Sequence, residues 1–128
     1  MKKLLLVFSH RLTEEQKESA QKDLDIGKFL YLPENLQKIW SEVNPVKFEE
    51  GKLELIKEYI INNIDKEDYV LIQGEWRFTY ELVNFCRENE RRAVYSSTER
   101  SSEDSKSSKD GEVRRRIVFK HVRFKPYY

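Results

Sequence analysis

Cysteine and glycine are scarce in this chain, and their scarcity excludes several classes of protein. Cys86 is the single cysteine, so no internal disulfide can form, and we predict a buried thiol in a reducing compartment. Four glycines among 128 residues leave no G-x-G-x-x-G turn and no Walker loop. The chain is therefore not expected to bind a dinucleotide or a nucleoside triphosphate through those loops.

Metal ligands and long apolar segments are lacking as well. The two histidines, His10 and His121, lie near opposite ends of the chain, and no carboxylates have metal-ligand spacing, so we expect neither a metal site nor a cofactor. The longest early apolar run, residues 4–8, stops at Ser9 and no small-residue cleavage site follows it. No run approaches the roughly 20 residues of a membrane span. These absences predict a cytoplasmic protein that is not bound to a membrane.

The charge of the chain is balanced in total but unevenly distributed. The formal net charge is +1, which argues against a protein that coats duplex nucleic acid. Residues 33–68 hold nine acids against five bases, whereas residues 111–128 hold six bases against one acid. This distribution favours a small anionic ligand in a local site over a long duplex.

Apolar periodicity predicts an α/β fold with a mostly parallel sheet. The predicted strands alternate with amphipathic helices, the order that right-handed crossovers between parallel strands produce. A last strand should lie at the sheet edge, because Pro126 closes it. The pattern predicts one domain over residues 1–128, a small Rossmann-like three-layer sandwich. The predicted strands are residues 4–8, 28–32, 69–73, 93–97 and 112–124, and the predicted helices are residues 13–23, 33–43, 49–64 and 76–89.

Two further segments have distinctive local sequences. Thr13 and Gln16 have the spacing of a capping box, with Thr13 as the N-cap of the first helix. Residues 101–110 contain no apolar residue and five serines, which predicts a mobile serine-rich loop.

Three apolar runs end abruptly in polar clusters. The clusters are Ser9-His10-Arg11, Gln73-Gly74-Glu75 and Ser96-Ser97-Thr98-Glu99-Arg100. If the runs are neighbouring parallel strands, all three clusters leave the sheet at the edge where open α/β folds bind ligands. Their hydroxyls, guanidinium groups and histidine are suited to a phosphodiester.

Several of these residues have a structural alternative that the sequence leaves open. His10 can act as a general acid or base, or can bond a neighbouring loop. Gly74 at a strand-to-helix turn lets backbone approach a ligand, whereas Glu75 can serve as a helix cap. Thr79, one turn into that helix, can face either the ligand or solvent.

The remaining candidates are aromatic residues of the fourth helix and two residues of the last strand. Trp76 and Tyr80 are expected to pack rather than to stack on bases. His121 and Arg123 should share one face of their strand, because side chains alternate, and could line a site or serve as edge charge.

The order of these motifs resembles a small CRISPR-associated family found beside type III CRISPR systems. The resemblance spans nearly the whole chain. A threonine pair is common in the family where Ser97-Thr98 stands here, so a hydroxyl is kept. The matching segments are Phe8-Ser9-His10-x-Leu12-Thr13-x-x-Gln16, Gln73-Gly74-Glu75 with Thr79, Tyr95-Ser96-Ser97-Thr98-x-Arg100, and His121-Val122-Arg123-Phe124.

The resemblance implies a ring nuclease, which binds cyclic oligoadenylate, most often cyclic tetra-adenylate, and linearises it to end an antiviral signal. Members are usually two-fold dimers with the ring at the interface, so a homodimer is expected. The ribose 2′-hydroxyl could attack its own phosphodiester without metal. The implied catalytic residues are His10, Arg100 and Glu75, and the implied ligand-binding residues are Ser9, Arg11, Gln73, Gly74, Thr79, Ser97, Thr98 and Arg123.

Three other functions fit the same sequence. The pocket could sequester cyclic oligoadenylate without cleaving it, as a sponge or sensor. The basic C-terminal segment could dock an acidic protein partner without any nucleotide. A generic phosphate-binding domain acting on mononucleotides is the third alternative.

Overall fold

The described strands form one five-stranded sheet of order β2-β1-β3-β4-β5. The computed structural model describes residues 1–106 and 113–128, with side chains outside residues 101–116. Along the chain the elements are β1 (Lys2–Phe8), α1 (Glu14–Asp23), β2 (Ile26–Tyr31), α2 (Glu34–Ser41), α3 (Glu50–Asn63), β3 (Tyr69–Gln73), α4 (Trp76–Glu88), β4 (Arg92–Lys106) and β5 (Val113–Pro126).

The sheet is mostly parallel, as the sequence predicts. β1 pairs in parallel with both β2 and β3, and β3 pairs in parallel with β4. β5 runs antiparallel to β4 and lies at the edge, which confirms the predicted edge strand. The α/β class and the parallel core of the sheet are therefore confirmed.

Each face of the sheet is covered by helices. Alternate residues of β1 point to opposite faces, and all of residues 4–7 are buried. Leu5 and Val7 belong to the cluster that includes residues of α2, α3 and α4, whereas Leu4 and Leu6 belong to the cluster that includes Ala20 of α1. β1 therefore lies between the two hydrophobic clusters.

Two local predictions are confirmed directly. The Thr13 side chain accepts a hydrogen bond from the backbone N–H of Gln16, and the Gln16 side chain accepts one from the backbone N–H of Thr13. Cys86 is fully buried in α4, and burial raises the pKa of its thiol to about 12. The thiol thus behaves as a small apolar group.

The predicted loop over residues 101–110 is wrong in its first half. Ser101–Lys106 continue β4 and pair with β5, and residues 107–110 lie outside the described residues. The polar composition of residues 101–106 led to the wrong prediction. An antiparallel partner strand supplies backbone hydrogen bonds, and these can hold a strand that has no apolar side chains to bury. Glu103 and Asp104 are registered opposite Arg116 and Arg115.

A β-bulge at Val122 overturns the expectation that His121 and Arg123 share one face. Ser97 pairs with Arg123 but Thr98 pairs with His121, so Val122 is an extra residue on β5. The His121 ring lies 4.7 Å from the ring of buried Phe124. Arg123 follows the bulge and is exposed on the face opposite to Phe124.

Within residues 1–106 and 113–128, every helix is too short or too polar to cross a lipid bilayer.

The carboxylate of Asp68 fixes the start of β3 beside β1. Asp68 is 4% exposed, and its two oxygens accept hydrogen bonds from the backbone N–H groups of Lys3 and Asp65, each at 2.9 Å. We expect Asp68→Ala to lower the free energy of unfolding by about 1–3 kcal/mol, because two partly buried N–H donors lose their partner. Urea unfolding monitored by circular dichroism measures the change. Asp65→Ala, at an exposed neighbour, is the control and should change stability by less than about 0.5 kcal/mol; equal losses in both variants would contradict this role.

Candidate functional site

The strand order creates a crevice between the carboxyl ends of β1 and β3. β2 lies on one side of β1 and β3 on the other, and their connecting helices cover opposite faces. Phe8 is paired with Gln73, so Ser9 and Gly74 leave the sheet side by side. A reversal of strand order of this kind is the ligand-binding position of open α/β sheets.

A cleft opens at the carboxyl ends of β1 and β2, on the other side of β1 from Gly74. Its volume is about 470 Å³, within the range of small-molecule sites. His10 and Arg11 are both exposed, and the His10 ring meets the Phe8 ring edge to face at 5.3 Å. The cleft is lined by Phe8, Ser9, His10, Arg11, Tyr31, Leu32 and Gln37.

Side chains of α2 close the floor of the crevice. The Gln37 amide donates to the carbonyl oxygen of Phe8 at 2.9 Å, and the Trp40 indole N–H donates to the carbonyl oxygen of Gln73 at 3.0 Å. The Ser41 hydroxyl lies 3.3 Å from the hydroxyl of Ser9. Sequence reasoning missed Gln37 and Ser41. Gln37 and Ser41 are four residues apart and so lie on one face of α2, which is the sequence signal that could have identified them.

The position of the Trp40 indole requires a residue without a side chain at position 74, whether or not a ligand binds there. A Cβ at Gly74 would lie 2.6–2.8 Å from indole atoms of Trp40, closer than side chains pack. The same indole bonds the carbonyl oxygen of Gln73. The group that lies against Gly74 is an indole of the protein, and the predicted approach of a ligand to this backbone stays a prediction.

Glu75 caps α4 and lines a different cleft from His10. Its carboxylate accepts a hydrogen bond from the backbone N–H of Arg77. With Arg77 and Phe48 it lines a cleft of about 270 Å³ beside the chain between α2 and α3. The capping alternative for Glu75 is thus the role that the structure describes, and a negative charge already occupies the start of α4.

Gln73 and Ser96 join the ends of β3 and β4. The Gln73 side-chain oxygen accepts from the backbone N–H of Ser96 at 2.7 Å. The buried Ser96 hydroxyl lies 2.6 Å from Nδ1 of His121 and accepts from the Gln16 amide at 3.4 Å. These contacts connect β3, β4, β5 and α1, and neither Gln16 nor Ser96 was among the predicted site residues.

Burial favours the neutral form of His121. Burial lowers the pKa of His121 below its ordinary value, and the negative charges of Glu15 and Asp23 oppose that shift in part. Its Nε2 atom is buried and has no hydrogen-bond partner within the described residues. The charged ring carries a proton on both nitrogens and would be a buried charge with an unpaired N–H at Nε2, which explains the direction of the shift.

Thr98 and Arg100 lie on the two-stranded ribbon that β4 forms with β5. Thr98 lines a cleft of about 440 Å³ with the N-terminal residues of α1 and with His121. Arg100 is exposed and registered opposite Phe119. It follows Ser96 by four extended residues, which carries it roughly 13 Å along the strand from the end of β3. The structure therefore brings Ser9, His10 and Arg11 together beside Gly74, but not Arg100.

The other predicted ligand residues are dispersed. Ser97 is half-buried and registered opposite exposed Arg123, on the face of β4 away from Ser96. Thr79 is half-buried in α4, and its hydroxyl oxygen is buried without a hydrogen-bond partner among the described residues. Neither Thr79 nor Arg123 is among the residues that line the cleft at His10.

The aromatic residues at the start of α4 do not pack. Trp76 is 91% exposed and Tyr80 is 65% exposed, so the packing expected for them is wrong. The buried face of α4 is formed by Phe78, Leu82 and Cys86 instead. The helical phase places Trp76 and Tyr80 one turn apart on the opposite side.

Acidic and sulfur ligands do not gather at the crevice. Across residues 1–106 and 113–128, no three histidine, cysteine, aspartate or glutamate side chains are grouped as metal ligands. The chemistry available at the cleft is that of hydroxyl, imidazole, guanidinium and amide groups.

Comparison with known proteins assigns this chain to a family. The model of the Uncharacterized protein MJ1673 family matches residues 2–125, so the chain belongs to that family. It is 41% identical over 128 residues to Uncharacterized protein MJ1673 of Methanocaldococcus jannaschii, covering 99% of this chain and 98% of the relative. No solved structure matches the chain.

The contact between Gly74 and Trp40 makes a stability prediction. We expect Gly74→Ala to lower the free energy of unfolding by about 1–3 kcal/mol, because the new methyl group would overlap the indole. Gly51→Ala is the matched control, since a Cβ at Gly51 in α3 meets nothing within 4 Å. It should stabilise the helix by about 0.5–1 kcal/mol. Chemical denaturation compares the two variants, and a neutral Gly74→Ala would contradict the packing account.

Burial of His121 makes a prediction for pH. Because the folded-state pKa is lowered from 6.5, the unfolded chain takes up the proton first as pH falls. The stability that neutral His121 contributes is therefore present above 6.5 and is lost as pH falls towards the folded-state pKa. We expect His121→Gln to reduce the loss of stability between about pH 7.5 and about pH 5. Urea unfolding across that range tests it, and identical slopes for the wild type and the variant would contradict it.

Proposed function

We propose that this member of the MJ1673 family is a ring nuclease for cyclic oligoadenylate, cyclic tetra-adenylate above all. In this proposal the protein cleaves the ring without a metal ion or cofactor and thereby switches off type III CRISPR signalling. It acts in the cytoplasm, as a homodimer, without binding duplex nucleic acid or a membrane. The fold is that of a small Rossmann-like three-layer sandwich, a proposal supported by helices on both faces of the mostly parallel sheet.

The observation that carries the proposal is the position of Ser9, His10 and Arg11. They follow β1, the strand at which the strand order reverses, and they line a cleft of about 470 Å³ that opens towards β2. Arginine binds phosphate through paired N–H groups, and a serine hydroxyl can donate to a phosphate oxygen. The exposed imidazole of His10 beside them can act as a general acid or base.

The proposed chemistry needs only groups of the ligand, of this chain and of solvent water, which takes part in the proton transfer that His10 does not perform. The 2′-hydroxyl of one ribose attacks the adjacent phosphorus, the bond from phosphorus to the 5′-oxygen breaks, and a 2′,3′-cyclic phosphate and a 5′-hydroxyl result. The proton of the 2′-hydroxyl leaves to a base, and the 5′-oxygen gains one. His10 performs one of these transfers, while Arg11 and Ser9 stabilise the charge that develops on the phosphate.

The geometry revises the roles implied by the resemblance. The Glu75 carboxylate serves α4 as a cap, so its contribution to catalysis is limited to the backbone of its turn. Gln73 orients the ligand only indirectly, because its side-chain oxygen bonds Ser96. Arg100 and Thr98 reach the ligand from the ribbon, which suits a ring larger than the cleft at His10.

A homodimer follows from the size of the proposed ligand. The cleft of about 470 Å³ suits one small ligand unit rather than a ring of four nucleotides. A two-fold symmetric ring can occupy two such clefts when a second protomer supplies the other.

The second candidate is a sponge or sensor that binds the ring without cleaving it. One observation favours it: within the described part of the chain, no side chain hydrogen-bonds His10 to orient the imidazole. Catalytic histidines are commonly oriented by a further hydrogen bond, and here the ligand itself would have to supply it.

Digestion of cyclic tetra-adenylate in the presence of EDTA tests the proposal. We expect linear products from the wild type, and a rate about 10²–10⁴-fold lower for His10→Ala, because a proton-transfer group is lost. Arg87→Ala, at an exposed arginine in the last turn of α4, is the control and should cleave normally. Chromatography of the products measures the rate.

Each other outcome has a definite meaning. Tight binding by the wild type with an intact ring identifies the sponge. Equal cleavage by the wild type and His10→Ala removes His10 from the mechanism, and absence of both binding and cleavage contradicts the proposed function.

A further inference from the structure

Tyr31 presents an unused aromatic ring to the cleft that contains His10. It ends β2, where it is registered opposite Leu6, and it is 51% exposed. Within the described residues its ring has no aromatic partner and its hydroxyl has no hydrogen bond. An exposed ring on the wall of a cleft offers the flat apolar surface on which nucleobases stack.

Gln37 offers the same cleft a hydrogen-bond acceptor of fixed orientation. Its amide nitrogen lies 2.9 Å from the carbonyl oxygen of Phe8 and 3.2 Å from the hydroxyl oxygen of Ser41. A carbonyl oxygen can only accept, so the atom that faces Phe8 must be the donating NH₂ group. Both N–H bonds are thereby used, and the side-chain oxygen is left for another donor.

We infer that this cleft is a subsite for one nucleotide whose base carries an exocyclic amino group. Tyr31 stacks on the base, the side-chain oxygen of Gln37 accepts from the amino group, and Arg11 and His10 contact the phosphate. The inference rests on the proposed function, because it names the residues that would recognise adenine in the oligoadenylate. The volume of about 470 Å³ is in the range for a single small ligand.

The fixed amide gives the subsite its selectivity. Adenine donates from its 6-amino group, whereas hypoxanthine has a carbonyl oxygen at that position. A carbonyl oxygen opposite the Gln37 oxygen would place two acceptors together and leave both without a donor. Sites that hydrogen-bond an N–H group discriminate strongly against analogues that lack it.

Binding of adenosine 5′-monophosphate and inosine 5′-monophosphate by calorimetry tests the inference. We expect the adenine nucleotide to bind the wild type about tenfold or more tightly than the hypoxanthine nucleotide. Tyr31→Ala should weaken adenine nucleotide binding about tenfold, whereas Tyr31→Phe should retain it within about twofold because the ring remains. Tyr80→Ala removes a tyrosine of comparable exposure outside the cleft and should bind as the wild type does.

The outcomes separate this inference from the proposed function. If cyclic tetra-adenylate is cleaved but Tyr31→Ala leaves its KM unchanged, the subsite is wrong and the ring nuclease stands. If the adenine nucleotide binds with the expected dependence on Tyr31 but no ring is cleaved, the subsite stands and the nuclease is wrong. Equal affinity for the two nucleotides removes the role of Gln37, and no binding of either nucleotide overturns the subsite.

Discussion

Two hydrogen bonds from α2 hold the ends of β1 and β3, and the crevice depends on them. Parallel strands end in carbonyl groups that the ladder no longer satisfies, and buried carbonyls need partners. Gln37 supplies a partner for Phe8 and Trp40 supplies one for Gln73, at 2.9 Å and 3.0 Å. Because Trp40 is nearly fully buried, its indole also fixes the turn at Gly74. The ends of β1 and β3 are therefore both attached to α2.

The same arrangement divides the polar residues at this edge into separate groups. Ser9, His10 and Arg11 line one cleft, Glu75 lines a second, and Thr98 lines a third with His121. Gln73 and Ser96 are used in bonding neighbouring strands. A ligand that engages more than the first group must therefore extend along the edge and over the ribbon.

The elements of the fold could be predicted because their signals are local. Three such signals depend only on residues that are close together in the sequence. They are the buried run of β1, the capping box at Thr13 and the amphipathic spacing of α4. The position of Ser9 beside Gly74 could be predicted as well, because carboxyl ends of adjacent parallel strands share an edge.

The remaining features depend on pairings between distant residues. The bulge at Val122 and the extension of β4 through Lys106 follow from the register of β4 with β5, which composition does not encode. The alternation of side chains along a regular strand therefore predicted, wrongly, that His121 and Arg123 share one face. Trp76 is apolar and lies in a helix, so burial was the natural expectation, but only the direction of the core determines which face of α4 is exposed.

A co-crystal structure of His10→Ala with cyclic tetra-adenylate is the most direct measurement of where the ligand lies. Our account predicts phosphate density within hydrogen-bond distance of Ser9 and Arg11, above the hydrogen bonds that α2 makes to β1 and β3. Density for the ring on another surface, with this crevice filled by solvent, would contradict the account.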